Sequence, residues 1–239
     1  MDDSELFAAA QRLPSTRRPL LGLTILVIED SRYACEALRL LCLRSGARIR
    51  RADCLKSARR HLQVYRPSVV ITDVGLPDGS GLDLIREMDA ARPRVRIVLA
   101  ISGDTGVEAE TLKAGADGFL AKPITSLAAF QNAILSRLPD DRQPSGPRQI
   151  SDETVEPDPI AFLDDMAHAA DVLSASQEEK SLDYLAQFVG GVARSAGDGP
   201  LAKAAENLAR ARSEGRPVAR DTAVIASLVQ ERLDQRIAI

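Results

Sequence analysis

Tryptophan is absent, and all aromatics together make up 3% of the 239 residues. So thin a supply argues against a stacking platform for single-stranded nucleic acid or an aromatic sugar cleft. Histidine is almost as scarce, at two. The three cysteines, Cys35, Cys42 and Cys54, lack CxxC spacing and have no histidine pair beside them, which excludes a disulfide framework and a zinc site. They read as reduced, partly buried thiols acting as small hydrophobes. No run approaches the roughly 18 apolar residues of a membrane span. The first residues, Met1-Asp2-Asp3-Ser4-Glu5, are acidic where a signal peptide would be basic. A soluble, cytoplasmic protein is expected.

What is present is ordinary globular material, 45% hydrophobic and 27% charged, enough for one or two domains. The net charge of -3 conceals a split. Residues 1–148 hold 22 Lys+Arg against 18 Asp+Glu, a net of +4, while 149–239 hold 9 against 16, a net of -7. Two units with different surfaces are implied.

Residues 1–21 read as a short helix (Ser4 to Arg12) and a linker. Then an alternation begins: strand Leu23–Ile28, helix Ser31–Arg44, an edge strand Arg48–Ala52, helix Leu55–Tyr65, strand Val69–Thr72. Helix Leu82–Ala91, strand Arg96–Ile101, helix Val107–Ala114, strand Gly118–Ala121 and helix Leu127–Leu138 continue it. Apolar, non-alternating strands between helices mean a doubly wound α/β domain over 22–139, with a five-stranded parallel sheet. Its functional groups are expected beyond the carboxyl ends of the strands.

Residues 140–158, rich in proline and acid, read as a linker. The remainder, 159–239, shows four amphipathic helices and no strand, an all-α bundle. Their expected starts are Asp158-Pro159, the capping box Ser176-Gln-Glu-Glu179, Asp198-Gly-Pro200 and Asp221; Gly215 stops the third.

The strand ends carry Glu29-Asp30, Asp73 followed by Val-Gly-Leu-Pro77-Asp-Gly-Ser-Gly81, Ser102, and Lys122-Pro123. All four ends open on one edge of such a sheet, so three carboxylates, a hydroxyl and an ammonium converge there. Crowded carboxylates need a compensating cation. An all-oxygen set suits a hard divalent ion, with Mg²⁺ the cellular default. A carboxylate beside it is a plausible nucleophile toward phosphorus, with Lys122 and Ser102 serving the phosphoryl oxygens.

This ordered set resembles the signature of bacterial response-regulator receiver domains, over about residues 22–139. The resemblance implies a flavodoxin-like sheet of order 2-1-3-4-5. It implies that Asp73 is the phosphoacceptor, loaded from the phosphohistidine of a sensor histidine kinase or phosphotransfer protein. Glu29, Asp30, Asp73 and the backbone carbonyl of Gly75 would hold Mg²⁺. Ser102 would be the switch hydroxyl, Lys122 the counter-ion and Phe119 the switch aromatic. Pro123 would follow a cis bond. The protein would then be a phosphoacceptor, its only chemistry self-phosphorylation and autodephosphorylation.

The helical region carries no motif that assigns it to a family, and three readings of it compete. One is an adapter or dimerisation bundle. Another is a phosphotransfer bundle with His168 as second carrier, although Asp171 and Val172 stand where phosphotransfer helices usually carry Lys and Gly. The third is DNA binding, which the charge of -7 opposes. A basic cluster (Arg44, Arg48, Arg50, Arg51, Lys56, Arg59, Arg60, Arg66) is either a solvated face or a dock for an acidic surface, the kinase's or this chain's own helices. His61, within it, reads as a surface residue.

Overall fold

A computed structural model describes residues 14–144, 151–175 and 179–235. The expected helix Ser4–Arg12 and the capping box begun at Ser176 lie outside the described residues.

Nine α-helices and seven strands occur among them. The first half runs β1 (Thr24–Ile28), α1 (Arg32–Ser45), β2 (Arg48–Ala52), α2 (Leu55–Val64), β3 (Val69–Asp73), a two-residue hairpin β4 (Gly75–Leu76) with β5 (Gly79–Ser80), and α3 (Gly81–Ala90). It continues with β6 (Ile97–Ser102), α4 (Glu108–Lys113), β7 (Gly118–Ala121) and α5 (Leu127–Leu135). A single 3₁₀ turn, Thr105–Val107, precedes α4, so the helix expected from Val107 starts one residue later.

The parallel sheet has the order β2-β1-β3-β6-β7. Its central strands β3 and β6 are buried along their whole length, which is why their sequences do not alternate. Successive side chains feed opposite faces. Ile25, Val27, Ile71 and Leu99 pack under α1 and α5 with Phe130 and Ile134, while Leu26, Ile28, Val70 and Val98 pack under α2 and α3 with Leu84, Ile85 and Met88. β2 is the edge, and its Arg48, Arg50 and Arg51 point charge at solvent where another strand could otherwise pair. The expected sheet and its order are both present.

The second half is four helices: α6 (Pro159–Ala175), α7 (Glu179–Ala196), α8 (Gly199–Ser213) and α9 (Ala219–Asp234). They bury Met166, Leu185, Val189, Val192, Leu201, Leu208, Ile225 and Val229 in a core of their own. Asp158 and Asp198 cap α6 and α8 as expected, accepting from Ile160 N at 2.8 Å and Leu201 N at 3.0 Å. Gly215 ends α8 with a φ of +64°. Asp221 is a correction: α9 starts at Ala219 behind Val218, which places Asp221 in the first turn, where its charge meets the positive helix end without capping it.

Two further findings concern the connection between the halves. Within the expected linker, the described residues 151–158 hold to the first half. Glu153 O accepts from Leu127 N at 3.0 Å, Val155 N donates to Thr125 O at 2.9 Å, and Val155 is only 2% exposed in the core under α1 and α5. The stretch after Ser151 is therefore a strap. Glu153 also pairs with Arg44 of the basic cluster. The second is where the bundle sits: α6 packs along α1, and α7 reaches the hairpin β4. The bundle thus stands over the carboxyl ends of the strands and not on the basic edge.

Candidate functional site at the strand ends

Each element delivers one functional group to the same edge. β1 runs into Glu29-Asp30, β3 ends at Asp73 and β6 at Ser102, and β7 runs into Lys122. The order β2-β1-β3 reverses direction between β1 and β3, which opens the crevice where the first two elements meet. Glu29, Asp30 and Asp73 each offer a carboxylate oxygen, all within 4.8 Å of one another.

Lys122 Nζ lies 2.6 Å from Glu29 Oε2 and 2.7 Å from Asp73 Oδ2, and all three side chains are nearly or wholly buried. Burial works against the ammonium, but Asp73 and Glu29 outweigh it and hold the Lys122 pKa above its ordinary value. Burial raises the Glu29 carboxyl well above the usual range, with Lys122 opposing and Asp73 adding to it. Burial also pushes Asp30 up to about 6, a hydrogen bond from Tyr184 opposing and Asp73 adding. Three oxygen donors with no nitrogen or sulfur among them fit Mg²⁺. Ser102 is 3% exposed, and its Oγ accepts from Asp104 N at 3.1 Å, leaving its own hydrogen free to donate.

Gly81 is fixed by backbone crowding. A Cβ there would fall 1.9 Å from the carbonyl oxygen of Asp73, and Gly81 N donates to Val74 O at 2.8 Å. The turn after Asp73 can close only without that side chain. The Lys122–Pro123 peptide is cis, as expected; Arg92–Pro93, which the sequence did not flag, is cis as well. Phe119 is half-buried against the core under α2 and α3.

The family model of the response regulator receiver domain matches residues 25–134. That segment is a receiver domain. The KDP operon transcriptional regulatory protein KdpE of Escherichia coli K12 is 31% identical over 134 residues, 55% of this chain and 60% of its own length. The transcriptional regulatory protein CitB of Klebsiella pneumoniae is 40% identical over 75 residues, 30% of this chain and 32% of its own. This chain therefore spans at most 60% of either. A solved receiver domain of a sensor histidine kinase from Pseudomonas aeruginosa, with a magnesium ion in its cleft, is 26% identical. It covers 46% of this chain and 93% of its own, with a TM-score of 0.42.

The sequence gives no warning of the residues that the bundle adds to the rim of the receiver. Asp165, 1% exposed on α6, accepts from Ser31 Oγ and Arg32 N at 2.7 Å and from Tyr33 N at 3.1 Å. These are first-turn amides of α1, which lack partners within their own helix. Tyr184 on α7 donates its hydroxyl to Asp30 Oδ2 at 2.7 Å, and His168 Nε2 lies 3.1 Å from the same hydroxyl. The Gln187 amide lies against Gly75, so close that a Cβ on Gly75 would overlap it, and the Arg194 guanidinium lies against Gly103 in the same way. Arg32 pairs with Asp164 at 2.7 Å, and Tyr33 meets Phe162 edge-on at 5.9 Å. Apart from His168, nothing local in the sequence marks these residues, because each acts on a group more than 80 positions away.

Among the remaining expectations, Cys35 and Cys42 are buried, and burial pushes both thiols up to about 12. His61 is half-buried, with Nδ1 3.1 Å from the Tyr65 hydroxyl. Among the described residues no helix is long and apolar enough to cross a membrane.

Proposed function

We propose that this chain is a response regulator whose Asp73 accepts a phosphoryl group from the phosphohistidine of a sensor kinase or phosphotransfer protein. The observation that supports it most is the placement of Asp73: buried to 7% exposure, one oxygen on Lys122 and the other near the Gly75 amide, within a trio of carboxylates. Glu29, Asp30 and Asp73 would hold Mg²⁺, with the Gly75 carbonyl as a further oxygen; when bound, the ion would offset the negative charge of an incoming phosphoryl group.

An Asp73 oxygen forms the new bond to phosphorus as the donor's nitrogen–phosphorus bond breaks, and the freed imidazole takes a proton. Lys122 is already placed to follow the charge, and the Ser102 hydroxyl can donate to a phosphoryl oxygen. This is self-modification on a signalling protein and not turnover of a substrate.

The bundle would report the state of Asp73 through protein contact, as an adapter or dimerisation module in the cytoplasm. The phosphotransfer reading is less well supported, because His168 Nε2 is engaged with Tyr184. The relatives' names speak of transcription, but the -7 charge of residues 149–239 would repel DNA phosphates.

The test is incubation with acetyl phosphate and Mg²⁺, followed by intact mass measurement. One hydroxylamine-sensitive phosphoryl group is expected, lost in Asp73→Asn and retained in His168→Ala. A folded protein that gains no mass would refute the reading. Label passing from a phosphohistidine to His168 would favour the relay.

A further inference from the structure

The bundle occupies the rim of the receiver's own acidic trio, and one of its hydroxyls is bonded to a member of that trio. We propose that the helical bundle is a lid latched by Tyr184 on Asp30, and that a divalent cation at Glu29, Asp30 and Asp73 competes with this latch. The inference rests on the cation-dependent reading of Asp73 given above.

The competition follows from where hydrogens and lone pairs lie. Tyr184 aims its hydroxyl hydrogen at Asp30 Oδ2, 2.7 Å away. A cation taking a lone pair of the same carboxylate meets the positive end of that O–H dipole and draws off the charge that the hydrogen bond uses. The two partners therefore weaken each other, and by linkage each does so by the same factor. His168 holds the phenol from behind, 3.1 Å from its oxygen, so Tyr184 cannot swing aside without breaking a second contact on α6.

The lid has other fastenings that would feel the loss. Asp165 closes the two first amides of α1, the helix that starts directly after Glu29-Asp30. These amides are the cheapest to release, because water replaces the carboxylate as soon as α6 lifts. Gln187 stands against Gly75 at the third corner of the site. Tyr184, Asp165 and Gln187 thus touch the loops after β1 and β3 together, and a group seated between those loops presses on all three.

The experiment uses the full chain and two readouts besides phosphorylation. Calorimetric titration with MgCl2 compares wild type with Tyr184→Phe, which keeps the ring and removes the hydroxyl. Removal of a hydrogen bond to a charged group predicts Mg²⁺ binding about tenfold tighter in the variant. Hydrogen exchange on the wild type then compares the peptide containing Arg32 and Tyr33, and the segment 159–175, with and without MgCl2 and beryllofluoride. Faster exchange in both is expected on loading.

Equal affinity in the two proteins, or exchange that loading leaves unchanged, overturns the lid competition. If Asp73 is still labelled in either case, the phosphoacceptor reading stands. Absence of both Mg²⁺ binding and Asp73 labelling overturns the two readings together. Should Tyr184→Phe melt before titration, the exchange comparison on the wild type decides alone.

Discussion

Lys122 Nζ sits between two buried carboxylates, and the geometry makes it a structural residue as well as a counter-ion. Lys122→Met leaves Glu29 and Asp73 facing each other in a buried cleft. Breaking a buried pair by removing one partner costs about 3–5 kcal/mol. Urea unfolding should show a loss of that size; a loss below about 1 kcal/mol would mean that the carboxyls simply protonate. Asp30 gives a pH dependence with a definite sign. Its folded pKa of about 6 stands above the roughly 3.9 of an unfolded aspartate, so the native state holds a proton that the unfolded chain has released. Its contribution to stability is therefore greatest below pH 4, falls as pH rises from about 4 to 6, and is flat above. The ceiling on that fall is about 3 kcal/mol. Unfolding curves for Asp30→Asn, taken without divalent ions between pH 4 and 7, should show a shallower decline and greater stability at pH 7. A steeper decline would contradict the raised pKa. Glu29, raised in the same way, keeps some of the slope.

At the scale of elements, two helices are capped by carboxylates from elsewhere in the chain. α2 begins behind Cys54, whose side chain makes no capping bond, and Asp78 from the β4–β5 hairpin accepts from Leu55 N at 2.8 Å and Lys56 N at 2.9 Å. α1 has its own Ser31 cap and borrows Asp165 as well. Asp78→Ala and Asp165→Ala should each cost about 1 kcal/mol. Their exchange signatures should differ: the first loosens the start of α2 alone, and the second loosens α1 and α6 together. Identical, local effects would show that the Asp165 contact carries no coupling. These caps mark what could be read from the sequence. The central strands were legible because burial on both faces leaves continuous apolar runs such as Val69–Thr72, and Asp158 and Asp198 were legible because a local cap needs only its own neighbours. The trio, Ser102 and Lys122 were legible because parallel topology sends every strand end to one edge. Asp78, Asp165 and Tyr184 were not, since a carboxylate that caps a distant helix carries the same local pattern as one facing water. The hairpin β4–β5 was hidden for another reason: its strands are two residues long, too short for any period to show.

For the whole molecule, the charge split invites an electrostatic picture in which a -7 bundle is drawn to a +4 partner. The contacts argue otherwise. Among the described residues, two charge pairs cross between the halves in view of solvent, Arg32 with Asp164, at 66% and 38% side-chain exposure, and Arg44 with Glu153 at 38% and 47%. Exposed pairs are worth about 0–1 kcal/mol each and are screened within about 8 Å at physiological salt. The remaining fastenings are short and sheltered: Asp165 on the α1 amides, Tyr184 on Asp30, Tyr33 against Phe162, and Val155 driven into the receiver's core. Neither a buried hydrogen bond nor apolar contact is weakened by added sodium chloride, which if anything favours burial. Small-angle scattering should therefore give the same radius of gyration at 50 mM and 500 mM salt. Val155→Asp should instead open the connection, because it puts a carboxylate into an apolar site with no partner, at a cost of about 2 kcal/mol or more. A chain that expands in salt while tolerating Val155→Asp would shift the hold to Arg32 and Arg44 and make the two halves an electrostatic pair. The opposite outcome makes the strap and the latched rim the joint, so that the event releasing it must act on Asp30 and its neighbours and not on ionic strength.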